Sequence, residues 1–178
     1  MLKSGTTTVG IVCKDGVVIA ADKRSTAGGM IANKRQLKLA QIANNMAIAG
    51  SGLVSDIQLT SRVGRAEIKL KDVQTGRETT VKEAANMLAS MLYSLIRRPT
   101  MVPGIVAFLL AGSDKEGHQL YNLGIDGSIT EKDDFDSEGS GSVFALGVLE
   151  AQYKKNMSTE EGIDLAMKSI NSAMQRDV

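Results

Sequence analysis

Strand-type and helix-type patterning alternate in blocks along this chain, and the block order constrains its fold more than any single motif does. β-Branched and apolar residues fill 7–13 and 17–22, and Lys14-Asp15-Gly16 between them supplies the turn chemistry of a hairpin. Residues 39–42 and 46–49 read as a second strand pair about Asn44-Asn45, with Gly50-Ser51-Gly52 expected to stop the strand. Apolar positions at helical spacing then mark a helix over 53–70 and another from Val81 to about Arg97, ahead of Pro99. Strands return at 105–111 and 119–123, and a tight turn at Asp126-Gly127 leads to a further short strand. The chain closes with a helix over 144–153 and a last one running to about Arg176, opened by the capping box Ser158-Thr159-Glu160-Glu161.

Strands, two helices, strands, two helices is an α+β order, and it excludes the strict βαβ alternation of a doubly wound parallel sheet. The 178 residues suffice for one domain with a real core. With 21 basic against 20 acidic side chains the formal charge is +1, so nothing in the composition asks for nucleic acid or a membrane surface. Residues 1–5 lack the apolar core of a secretory signal, and no later run has membrane-spanning length. Cys13 is the single cysteine, which rules out an intrachain disulfide or a cysteine-rich zinc site and fits a cytoplasmic setting. His118 is the single histidine and falls in Lys115-Glu116-Gly117-His118, read as a polar turn that leaves it solvated and without a catalytic part.

Without a usable histidine, a hydroxyl nucleophile needs another base. An N-terminal threonine has one in its own α-amine, which titrates near pH ~8 in model peptides. Gly5-Thr6 offers such a terminus if the bond between them is cut. Thr6-Thr7-Thr8 alone says little, because threonine suits a strand edge. Its companions carry more: Asp22 ends the second strand and Lys38 begins another, so the two together would hold a positive field beside Thr6.

Gly5-Thr6-Thr7-Thr8-Val9-Gly10, Ala21-Asp22-Lys23-Arg24, Lys38-Leu39, Ala49-Gly50-Ser51-Gly52-Leu53-Val54-Ser55-Asp56, the stretch from Gly139-Ser140-Gly141 to Leu149-Glu150, and Gln175-Arg176-Asp177 follow one another in consistent order. Together these motifs resemble proteasome β subunits of the archaeal kind, within the N-terminal nucleophile hydrolases. The resemblance implies a four-layer αββα sandwich of two antiparallel sheets flanked by helices. Matched position by position, it makes Thr6 the nucleophile, Asp22 and Lys38 its charge pair, and Gly52 the oxyanion-hole amide; Ser140 and Asp177 orient the freed amine. Ser25, Gln36, Ala40, Gly50, Val54 and Gln58 fall at substrate-pocket positions. That set has no ionised group, so the expectation is cleavage after apolar or uncharged residues.

The resemblance further implies a threonine endopeptidase without metal or cofactor, acting on unfolded polypeptides inside stacked, seven-membered β rings. Its partners would be other β subunits, α subunits and a regulatory ATPase reached through the α ring. Residues 1–5 are expected to be a propeptide cut at Gly5-Thr6, and 6–178 a single domain. Family members continue past the Arg-Asp of the last helix into a serine-bearing loop and further strands, so these are expected to be missing here and the support of Asp177 to be incomplete. While Gly5 stays attached, the Thr6 nitrogen is an amide and no base, which makes that form a latent precursor. A non-catalytic assembly subunit and the six-fold bacterial relative are the competing readings.

Overall fold

The computed structural model describes residues 5–27 and 30–177. Residues 1–4 of the expected propeptide and Val178 lie outside them. The first hairpin forms as its turn predicts: β1 (Thr8–Cys13) pairs antiparallel with β2 (Gly16–Ala21), Cys13 opposite Gly16. A short ribbon follows, β3 (Ser25–Ala27) against β4 (Met30–Asn33). Next come β5 (Leu39–Ala43), β6 (Met46–Gly52), α1 (Val54–Thr75) and α2 (Val81–Arg97). The second half contains β7 (Val106–Asp114), β8 (Gly117–Leu123), β9 (Ile129–Lys132), β10 (Phe135–Glu138), α3 (Ser142–Gln152) and α4 (Thr159–Met174). Among the described residues the strands make a five-stranded sheet in the order β5-β6-β7-β8-β9, a three-stranded sheet β10-β1-β2, and the ribbon, all antiparallel.

Several boundaries correct the sequence reading. The glycines of Gly50-Ser51-Gly52 do not stop β6, because that segment continues the ladder against Val106, Ala107 and Phe108 of β7. His118 lies within β8, opposite Ser113, and not in a turn; it is exposed, and its Nδ1 sits 2.7 Å from the Ser113 hydroxyl. The ribbon and β10 were not anticipated. Phe135-Asp136-Ser137-Glu138 is mostly polar, yet it is a strand because β1 pairs with it and the Asn122 amide donates to both of its carboxylates at 2.8 Å.

Alternation along the strands divides the core three ways. Ile48, Phe108 and Leu110 pack on α1 and α2 with Leu88 and Leu92. Val9, Ile11 and Cys13 pack on α3 and α4 with Leu149 and Leu165. A third cluster joins Ala49, Leu109, Ala111 and Leu120 of the larger sheet to Val12, Val17 and Ile19 of the smaller one. β7 has apolar neighbours on both faces, which is why 106–111 is one continuous apolar run. No helix among the described residues is long and apolar enough to cross a membrane.

Candidate active site

The chain places polar residues at the ends of these elements, where the ladders stop. Thr6 lies two residues before β1, Asp22 follows β2, Lys38 precedes β5, Ser140 links β10 to α3, and Asp177 follows α4. Antiparallel pairing of β1 with β2 puts Asp22 beside the threonines: its amide donates to Thr7 O at 3.0 Å, and its Oδ1 accepts from Thr7 N at 2.8 Å. The other oxygen, Oδ2, accepts from Arg24 N at 2.7 Å. Pairing of β5 with β6 holds Lys38 in turn, since Gly50 N donates to Lys38 O at 2.8 Å.

Lys38 Nζ meets Asp22 Oδ1 at 2.8 Å, and both side chains are 4% exposed. A buried pair of this kind persists only when its remaining hydrogen-bonding capacity is met. Lys38 meets part of it by donating to the Gly5 carbonyl oxygen at 2.9 Å. Burial pushes the Lys38 ammonium below its ordinary value, with the Asp22 hydrogen bond and charge acting the other way.

The Gly5–Thr6 peptide unit is gripped on both sides. Gly5 N donates to the Thr26 hydroxyl at 2.5 Å, and Thr6 N donates to Ser140 Oγ at 3.1 Å. Ser140 donates to Asp177 Oδ2 at 2.6 Å, and Gly141 N donates to Thr6 O at 3.1 Å. The loop reaches the threonine so closely because Gly139, at φ +99°, has no side chain; a Cβ there would run into Thr6 O. Gly52 ends β6 at φ +121°, where a Cβ would strike Ile105 O. It lies two residues beyond the Gly50 amide that holds Lys38.

Six residues singled out in the sequence thus fall at element ends, and five of them, Thr6, Asp22, Lys38, Ser140 and Asp177, are tied directly or through Gly5 into one hydrogen-bonded cluster. Sequence reasoning missed Thr26, which holds Gly5, and Arg24, whose guanidinium donates to Met174 O at 3.3 Å and Asp177 O at 3.5 Å. Both lie in Lys23-Arg24-Ser25-Thr26, directly after Asp22, and Thr26 belongs to β3 of the ribbon.

Beside Lys38 opens a cavity of about 450 Å³ between the 35–40 segment and α1. Of the residues matched to substrate-pocket positions, Gln36, Ala40 and Gln58 line it, whereas Ser25, Gly50 and Val54 are not among its walls. Arg35, Arg62 and Arg65 line the same cavity. Helical spacing places Gln58, Arg62 and Arg65 on the face of α1 that the cavity meets.

Residues 2–178 match the family model described as "Proteasome subunit". The chain is 45% identical over 174 residues to "Proteasome subunit beta 1" of Thermococcus onnurineus (strain NA1), covering 98% of this chain and 83% of that protein. It is 44% identical over 174 residues to "Proteasome subunit beta 2" of Pyrococcus abyssi (strain GE5 / Orsay), covering 98% and 81%. With "Proteasome subunit beta" of Archaeoglobus profundus (strain DSM 5631 / JCM 9629 / NBRC 100127 / Av18) it shares 41% over 173 residues, covering 97% and 79%. The chain belongs to the proteasome subunit family.

Proposed function

We propose that this chain is a β-type subunit of a proteasome core and a threonine endopeptidase, with Thr6 as nucleophile once residues 1–5 are removed. The observation that carries the reading is the cluster around Thr6: Lys38 Nζ lies 2.8 Å from Asp22 and 2.9 Å from the Gly5 carbonyl, while Thr6 N rests on Ser140. The three packed clusters support a four-layer αββα arrangement, with the Thr6 cluster at the strand ends.

Self-cleavage follows from the same contacts. The Lys38 ammonium draws electron density from the Gly5 carbonyl, which makes its carbon the electrophile. The Thr6 hydroxyl oxygen adds to that carbon and loses its proton; the carbon–nitrogen bond breaks, and the nitrogen takes up a proton. Water then hydrolyses the resulting ester, releasing residues 1–5 as a carboxylate and restoring the hydroxyl. The freed α-amine is left beside Ser140, already within 3.1 Å and itself held by Asp177.

In the mature subunit that amine takes the Thr6 hydroxyl proton as the oxygen attacks a substrate carbonyl. Asp22 and Lys38 supply the positive field, and the Gly52 amide is assigned to the oxyanion. Until the Gly5–Thr6 bond breaks, the nitrogen is an amide and the subunit is latent. Resemblance to its relatives supports assembly with other β subunits, α subunits and an ATPase on the α ring, in the cytoplasm and on unfolded polypeptides.

Intact mass and a fluorogenic peptide assay test this together. The parent chain is expected to lose residues 1–5 on assembly and to turn the peptide over, and Thr6→Ala to do neither. Turnover that survives Thr6→Ala would refute the assignment.

A further inference from the structure

We propose that Thr26 is a positioning residue for self-cleavage: its hydroxyl anchors the Gly5 amide and so holds the Gly5 carbonyl in the geometry that Thr6 attacks. The proposal rests on the reading of Thr6 as nucleophile.

Glycine is the residue least able to fix its own backbone, so a glycine before the broken bond needs outside anchors to present its carbonyl in one direction. Lys38 and Ser140 supply two: Lys38 Nζ donates to Gly5 O at 2.9 Å, and Ser140 Oγ accepts from Thr6 N at 3.1 Å. Both grip the peptide unit on one side of the Gly5 α-carbon. On the other side the Gly5 amide donates to the Thr26 hydroxyl at 2.5 Å. Without that anchor the chain before the bond is free to turn about the α-carbon, and a smaller share of the precursor stands ready for attack. The partner of Thr26 is the Gly5 nitrogen, which is not an atom of the bond that breaks, so Thr26 acts through position alone.

The placement of Thr26 agrees with such a role. It pairs with Ile31 of β4, and the register of the ribbon shifts between Ser25 and Thr26, an irregularity of the kind that re-aims a side chain. All four residues of β4 are exposed, Ile31 by 45%, whereas Thr26 is only 6% exposed. Among the described residues the ribbon gives nothing to the three apolar clusters, so the burial of Thr26 goes with the Gly5 contact and not with a core. Branching at Cβ leaves the side chain few rotamers and fixes the direction of its oxygen.

Thr26→Val keeps the shape and removes the oxygen, while Thr26→Ser keeps the oxygen and removes the methyl. Loss of residues 1–5 on assembly, timed by intact mass, is expected to slow about three- to tenfold in Thr26→Val, the worth of one hydrogen bond, and to stay within about twofold of the parent in Thr26→Ser. Should Thr26→Val fail to fold, Thr26→Ala takes its place. A parent rate in Thr26→Val, or a rate in Thr26→Ser as slow as in Thr26→Val, overturns the proposal. If Thr6→Ala abolishes the cleavage, the nucleophile reading survives that failure. If Thr6→Ala sheds residues 1–5 as well, or the parent keeps them, the nucleophile reading falls and hydrogen exchange at the Gly5 amide decides the anchor alone. Measured on the precursor before assembly, that exchange should be about three- to tenfold faster in Thr26→Val than in the parent, and equal exchange would overturn the anchor.

Discussion

Lys38 illustrates how one buried cation serves two neighbours, the Asp22 carboxylate and the Gly5 carbonyl. Burial lowers its proton affinity below the ordinary 10.5, so on titration it gives up its proton earlier than a solvated lysine. The proposed mechanism needs Lys38 charged and the Thr6 α-amine neutral. Peptidase kcat/KM is therefore expected to rise as the amine deprotonates near pH ~8 and to fall again below pH 10.5 as Lys38 does. A profile that stays level through pH 10.5 would remove the ammonium from the mechanism. Asp22 and Lys38 were legible as candidates because both flank strand-type segments; their separation was not, since it depends on two different hairpins ending at the same place.

Among the elements, α2 shows what local chemistry can hold in place. Thr80 accepts from Glu83 N at 3.2 Å, and Glu83 accepts from Thr80 N at 3.0 Å, closing a capping box. Arg77 grips the same carboxylate at 2.7 and 2.9 Å and, with the Thr80 amide, holds it well below its ordinary 4.5. A carboxyl held low in the folded state stabilises fully above the unfolded value and loses that contribution as pH falls through the folded one. Glu83→Gln should cost about 1 kcal/mol at pH 7 by urea denaturation, with the gap to the parent narrowing as the pH is taken below 4.5. An equal gap across that range would assign the effect to packing. The box at Ser158 and Glu161 was read directly from the sequence, and the same spacing at Thr80 and Glu83 was legible too but went unread. β10 was illegible for a different reason, since its polar residues are buried by pairing with β1 and by hydrogen bonds from the Asn122 side chain of β8.

At the scale of the molecule, two sheets share a thin apolar seam where Leu120 lies fully buried. It is opposed by Gly10: a Cβ added there would come within 2.5 Å of Leu120 Cδ1. Leu120→Ala is expected to destabilise by about 2–5 kcal/mol in chemical denaturation, as buried leucines do. Gly10→Ala should be unfavourable in the parent and recover part of the loss in the Leu120→Ala background, because the new methyl enters the vacated space. Additive effects would mean that the sheets do not meet there as described.

The sequence by itself determined the strand and helix blocks, the hairpin turns and the α+β class. Those follow from side-chain periodicity and turn chemistry, which are properties of neighbours along the chain. Only the tertiary structure decided that Ser140 and Asp177 close on the Thr6 nitrogen, that Thr26 holds Gly5, and that Arg62 and Arg65 stand beside Lys38. Each of those contacts joins residues on different elements, and their approach is fixed by how strands pair and helices pack, which no local pattern encodes.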